Sequence, residues 1–132
     1  MSRQYIGNLG KIENGIVAVT AYELIEGMTV ILAFEIYKPK QRMKQGDVDR
    51  SKPEIAAQMI KDLRARGLEF SLVLADSLYG ESESNFLNCL EELKLDYVVA
   101  IRSSYHFSIK RKNAVFPDLY KLFRCRFVIA TK

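Results

Sequence analysis

The 132-residue sequence predicts an α/β domain on a mixed sheet: an antiparallel hairpin followed by two αβ units. Three observations carry this. Two runs rich in β-branched and small apolar residues, 15–24 and 29–37, flank a Glu26-Gly27 turn signal. Two shorter apolar runs, 70–75 and 97–101, follow. Each of these is preceded by a segment with apolar residues at helical spacing. Strands that alternate with helices pack them onto a sheet, with right-handed crossovers.

Residues 3–14, punctuated by Gly7 and Gly10, read as loop or short strand. The run GIVAVTAYEL (15–24) has little polarity, as in a strand covered on both faces. Gly27 accepts the positive φ of a tight turn. Along residues 29–37, alternation places Val30, Leu32, Phe34 and Ile36 on one face. Thr29, Ile31, Ala33, Glu35 and Tyr37 take the other. A charged connector, 38–52, holds six basic and two acidic residues. It ends in Ser51-Lys52-Pro53-Glu54, the spacing of a capping box. Pro53 falls in the first turn, where a missing N–H costs nothing. Ile55, Met59, Ile60 and Leu63, with Ala56 beside them, mark the helix's buried face. Gly67 ends that helix after Arg64 and Arg66, cations suited to a last turn. The run FSLVLA (70–75) suits a central parallel strand, and Asp76 stands where it ends. Residues 77–80 read as loop. A second helix, about 82–94, is expected to bury Phe86, Leu90 and Leu93, with Glu81 and Glu83 near its N-terminus. A fourth strand, 97–101, ends at Arg102.

Composition is ordinary for a globular domain, 48% apolar and 27% charged. No apolar run is long enough to span a bilayer, and the first residues lack a secretory hydrophobic stretch. A cytoplasmic protein with no membrane partner is expected. Cys89 and Cys125 fit no metal spacing and are expected to be inert thiols. The net charge of +4 is uneven. Residues 104–132 carry seven Lys or Arg against Asp118 alone, or +6, leaving −2 for residues 1–103. A basic tail can neutralise phosphates, or it can simply be a solvated terminus.

In open α/β sheets, ligands bind outside the carboxyl ends of the strands. Asp76 is placed there. A carboxylate at that point can hold a divalent cation, and two such ions about 4 Å apart drive in-line attack on a phosphodiester. Alternatively, Asp76 only caps the loop or helix that follows. Glu35 reads as an edge or partly exposed residue. His106, the only histidine, has no partner in view, which disfavours a Ser–His–Asp or Cys–His site. Neither a P-loop nor a dinucleotide fingerprint is present. Lys38, Lys40, Arg42 and Lys44 alternate along the connector and can track phosphates; a solvated charged loop is the other reading.

Three stretches resemble one group of insertion-sequence transposases of the DDE superfamily. They are Arg3-Gln4-Tyr5 with Gly7, Leu9-Gly10-Lys11 and Asn14; the helix start Ser51-Lys52-Pro53-Glu54-Ile55-Ala56; and Leu74-Ala75-Asp76-Ser77-Leu78-Tyr79-Gly80. Their order and spacing make the resemblance specific over roughly residues 3–103. It implies an RNase H-like fold, three carboxylates that bind two Mg²⁺ ions, and DNA as substrate. Asp76 matches the second acid, and Tyr79 and Gly80 match its flanking motif with a shaping role. The first acid lies on the family's opening strand, upstream of the segment that Arg3 begins. The third is a Glu beyond the fourth strand. Neither has a match here.

The resemblance therefore predicts a partial catalytic domain over 1–103, with the first strand missing and with no strand cleavage by this chain alone. Residues 104–132 form a basic segment unlike the family. Lys110, Arg111 and Lys112 join the connector cations as candidate DNA contacts. In the family sheet the opening strand lies between the hairpin and the αβ units. Its lack predicts unpaired strand edges, answered by direct pairing of the hairpin with the third strand, by low stability, or by self-association. A non-catalytic role in binding DNA or intact transposase is the alternative function.

Overall fold

A computed structural model describes residues 2–6, 11–100 and 126–131, with side chains described over 15–100. Strands β1 (Ser2–Ile6) and β2 (Lys11–Gly15) form a small antiparallel sheet of their own. The main sheet begins with β3 (Val17–Ile25) and β4 (Met28–Tyr37), the expected hairpin. Glu26 and Gly27 both take positive φ, 49° and 84°. Two such residues in a two-residue loop match the right-handed twist of the flanking strands.

Helix α1 (Lys52–Ala65) starts as its sequence dictates. The Ser51 hydroxyl accepts from the Glu54 N–H, and the Glu54 carboxylate accepts from the Ser51 N–H at 2.6 Å. Two otherwise orphaned donors are satisfied together. The hydrogen bonds from Ser51 hold the Glu54 carboxyl below its ordinary pKa. Ile55, Ala56, Met59, Ile60 and Leu63 are all buried, as the periodicity predicts.

Beyond α1 come β5 (Leu72–Ala75), α2 (Ser77–Gly80), a π-helical turn (Glu83–Leu87), α3 (Asn88–Glu92) and β6 (Asp96–Val99). The expected single helix over 82–94 is thus interrupted. The Ser82 carbonyl accepts from both Phe86 and Leu87 N–H at 3.1 Å, so one extra residue is absorbed in the first turn. Phe86, Cys89 and Leu90 are nevertheless buried together. Apolar spacing specifies the buried face and leaves the offset of the hydrogen-bond ladder open.

Two expectations are corrected. Alternation along β4 breaks at a bulge: Ala21 pairs with Ala33, but Tyr22 pairs with Ile31. Leu32 is the extra residue. Ile31 therefore joins Phe34 and Ile36 on one face, while Leu32 and Ala33 both pack against the core. Direct pairing of the hairpin with β5 does not occur either. The sheet order is β4-β3-β7-β5-β6, where β7 is Arg126–Thr131. β7 runs antiparallel to β3 and parallel to β5. A strand from the carboxyl end of the chain thus joins the hairpin to the αβ units, and neither β3 nor β5 is left with an open edge there.

One core unites these elements. Val19, Ala21, Ile60, Val73, Tyr79, Phe86 and Leu90 are buried in it, contributed by the sheet and by every helix on one face. The Cys89 thiol lies in this core and donates to the Ala57 carbonyl at 3.6 Å. Burial pushes its pKa up, which suits an inert thiol.

Candidate active site at the end of β5

Asp76 leaves the sheet at the carboxyl end of β5 and is exposed. Its side chain accepts from the Leu78 N–H at 2.9 Å, and its carbonyl accepts from Gly80 N–H at 3.0 Å. The residue is therefore the N-cap of α2, and residues 77–80, expected as loop, form a helical turn because of it. One carboxylate oxygen is committed to that cap.

The rest of the Leu-Ala-Asp-Ser-Leu-Tyr-Gly stretch holds this geometry in place. Tyr79 is 0% exposed, and its ring meets Phe86 with centroids 5.3 Å apart, tilted by 49°. At Gly80 a Cβ would lie 2.2 Å from the Ala100 carbonyl oxygen. Only glycine lets α2 approach the end of β6 so closely. The Ala100 N–H in turn donates to the Ala75 carbonyl at 3.1 Å, tying β6 to the residue before Asp76. Tyr79 and Gly80 thus pack α2 against the core and the end of β6, directly after Asp76.

The same end of the sheet carries charged groups from β4 and α1. Ala75 is level with Ile129, Ile129 with Ala21, and Ala21 with Ala33. β4 continues past that level to Glu35 and Tyr37. Lys52, the first residue of α1, places its ammonium 5.1 Å over the Tyr37 ring. Burial pulls the Lys52 pKa below its ordinary value, and the Asp76 charge opposes that fall. Glu35 is partly exposed on its edge strand, as predicted, and is paired with Arg50. Lys52 went unnoticed in the sequence because it reads as one more cation in the connector. Its place in the capping box that starts the helix of the β4-to-β5 crossover is the available signal.

The connector cations divide into two pairs. Lys38 is bound to Asp47, and Lys40 reaches Asp49 at 2.9 Å. The hydrogen bond from Lys38 lowers the Asp47 pKa, and the hydrogen bond to Asp49 raises that of Lys40. Arg42 and Lys44 make no ion pair among the described residues. His106, Lys110, Arg111, Lys112 and Cys125 lie outside the described residues.

Among the described residues, no group of three or more His, Cys, Asp or Glu side chains is placed to hold a metal ion. With one Asp76 oxygen committed to the cap and Glu35 tied to Arg50, these residues do not make a two-ion cage. They offer a single outward carboxylate at a strand end.

An exposed acid thus caps a helical turn at the carboxyl end of a parallel strand in a mixed sheet. The chain matches the DDE superfamily endonuclease family over residues 1–123, and it belongs to that family. It is also 60% identical, over 109 residues, to a protein of Microchaete diplosiphon described as "Probable transposase for insertion sequence element IS701". That match covers 83% of this chain and 29% of the relative. No solved structure matches the chain. Endonucleases of this superfamily depend on divalent metal ions. No helix among the described residues is long and apolar enough to cross a membrane.

Proposed function

We propose that this chain is part of a DDE transposase catalytic domain, in which Asp76 is one of the carboxylates that hold Mg²⁺ for DNA strand cleavage and transfer. The observation that carries the reading is the placement of Asp76: exposed at the end of β5, aimed by the Leu78 N–H, and braced by Tyr79 and Gly80. The bound ions would supply Lewis-acid activation of the attacking and leaving oxygens. Asp76 would contribute one ligand through the oxygen that the cap leaves available. Lys52 keeps a positive charge near that carboxylate, which steadies it against the like charge of a phosphate backbone.

Among the described residues no further carboxylate joins Asp76 in a metal-holding group, which would leave such ions under-ligated, so no DNA cleavage is expected from the chain by itself. The second reading is a DNA-binding or transposase-regulating fragment, acting through DNA, intact transposase or self-association in the cytoplasm. Arg42 and Lys44, which make no ion pair among the described residues, and the +6 charge of residues 104–132 favour DNA. Under this reading residues 1–103 are the catalytic-domain portion, and Lys110, Arg111 and Lys112 join the connector in contacting phosphates.

One experiment addresses both readings. Purified chain is incubated with supercoiled plasmid and Mg²⁺ or Mn²⁺, and its affinity for a duplex is measured against salt. No nicking is expected, together with binding that falls steeply as salt rises. Metal-dependent nicking that Asp76→Asn abolishes would overturn the inactivity. Absence of binding at low salt would remove the DNA-binding reading.

A further inference from the structure

β4 and β7 are each antiparallel to β3, and β7 is parallel to β5. β4 and β5 therefore point the same way. α1 lies between them in the chain, so it begins at the end of the sheet where both strands finish. Its first residue, Lys52, and the exposed Asp76 share that end. The contact between the Lys52 ammonium and the ring of Tyr37, the last residue of β4, agrees with this placement.

Lys52 differs from the cations that lead up to it. Lys38, Lys40 and Arg50 are each neutralised by an acid: Asp47, Asp49 and Glu35. Arg42 and Lys44 are exposed side chains of the connector. Lys52 is half-buried, and its backbone is fixed by the capping box of Ser51 and Glu54 and by Pro53. Its ammonium is held 5.1 Å from the centre of the Tyr37 ring. An aromatic face attracts that charge through its quadrupole, yet an ammonium has three N–H donors that seek acceptors. Among the described residues the Lys52 side chain makes neither an ion pair nor a hydrogen bond.

Partial burial of a charged group is unfavourable unless something replaces the lost water. The Tyr37 ring and the Asp76 charge, which opposes the effect of burial on Lys52, do so in part. No oxygen of the described residues completes the set, and an anionic oxygen from outside would. Lysine binds phosphate as a point charge, and a phosphate beside Asp76 needs a cation to offset the carboxylate's repulsion. We propose that Lys52 is a binding residue for DNA at this site, its ammonium donating to a non-bridging phosphodiester oxygen beside Asp76. The proposal rests on the reading that the strand end at Asp76 faces DNA, and it does not require Asp76 to hold a metal ion. The ring contact then serves to preset the side chain, so that less rotamer freedom is lost when the phosphate arrives.

Duplex affinity measured against salt, without divalent ions, tests this on the full chain. Each phosphate neutralised by a cation contributes about 0.9 to the slope of log affinity against log salt. Lys52→Gln is expected to make the slope shallower by about that amount, and to weaken binding alike on unrelated duplex sequences. Lys52→Arg is expected to keep the slope of the unaltered chain, and a structural role alone would move neither. Circular dichroism checks that both variants retain their helix and strand content. The effect of Lys52→Gln is expected to persist in an Asp76→Asn background. A slope unchanged by Lys52→Gln, a slope lowered equally by Lys52→Arg, an effect lost in Asp76→Asn, or no duplex binding at low salt would overturn the proposal. Failure of the metal reading shows elsewhere, as Mn²⁺ that does not broaden residues 76–80, and leaves this slope difference in place.

Discussion

Tyr79→Ala is expected to lower folding stability by about 3–5 kcal/mol, the range for emptying a large buried aromatic site. The ring is fully enclosed, and its neighbour Phe86 is also 0% exposed. Removal leaves a void between α2 and the π-helical turn and forfeits the tilted ring contact at 5.3 Å. Domains of this size hold only about 5–15 kcal/mol in total, so the variant loses a large share of its stability. Urea denaturation followed by circular dichroism reads the loss. A change below about 1 kcal/mol would mean that the Tyr79 pocket collapses or fills with little penalty, against the range expected for a packed aromatic site. The consequence for the site follows directly. α2 is only four residues long, and the buried Tyr79 ring together with the Gly80 contact at the end of β6 holds it in place, so loss of the ring is expected to loosen Asp76 as well.

Gly80→Ala is expected to destabilise the chain by about 1–3 kcal/mol, the usual result of forcing volume into a packed contact. The added methyl would meet a backbone oxygen, that of Ala100, at 2.2 Å, and the Val99 side chain at 3.0 Å. A backbone carbonyl just beyond β6 cannot swing aside like the tip of a long side chain. Either α2 lifts or β6 shifts, and the Ala100-to-Ala75 hydrogen bond at 3.1 Å weakens. The amide resonances of Asp76 and Leu78 are expected to move with it. A variant with an unchanged denaturation midpoint and unchanged shifts at those two amides would show that the close approach is not required. Two neighbouring residues in one short stretch thus act on the same carboxylate through different physics, one by filling a cavity and the other by leaving one.

Elements with strong local chemistry were readable from the sequence. The capping box at Ser51 and Glu54, the two-residue turn at Glu26-Gly27 and the apolar spacing of Ile55 to Leu63 each depend on neighbours in the chain, and each is realised. Asp76 was readable as well, because the end of a short apolar strand is a local feature. What escaped was set by distant partners. The bulge at Leu32 depends on how β4 registers against β3, which alternation along one strand does not encode. The π-helical turn carries Phe86, whose ring meets a Tyr79 that lies in another element, a contact that local spacing does not encode. The largest miss was β7. Residues 126–131 were read as part of a basic tail, yet FVIAT has the β-branched character of a strand. The cations around it mask that signal, and nothing local says that a carboxyl-terminal strand will enter the middle of a sheet. The burial of the Tyr79 ring and the 2.2 Å approach at Gly80, on which a shaping role for these residues would rest, are visible only in three dimensions. Lys52 was passed over, because its proximity to Asp76 arises from the crossover of α1.

The claim on which the rest depends is that the Asp76 carboxylate faces outward from the strand end and is available to a divalent ion. Paramagnetic broadening by Mn²⁺, titrated into the isotopically labelled full chain, measures this most directly. Weak loading is expected, with the amide signals of residues 76–80 broadened first and this effect abolished in Asp76→Asn. Broadening that spares residues 76–80, or that persists there in the variant, would contradict it.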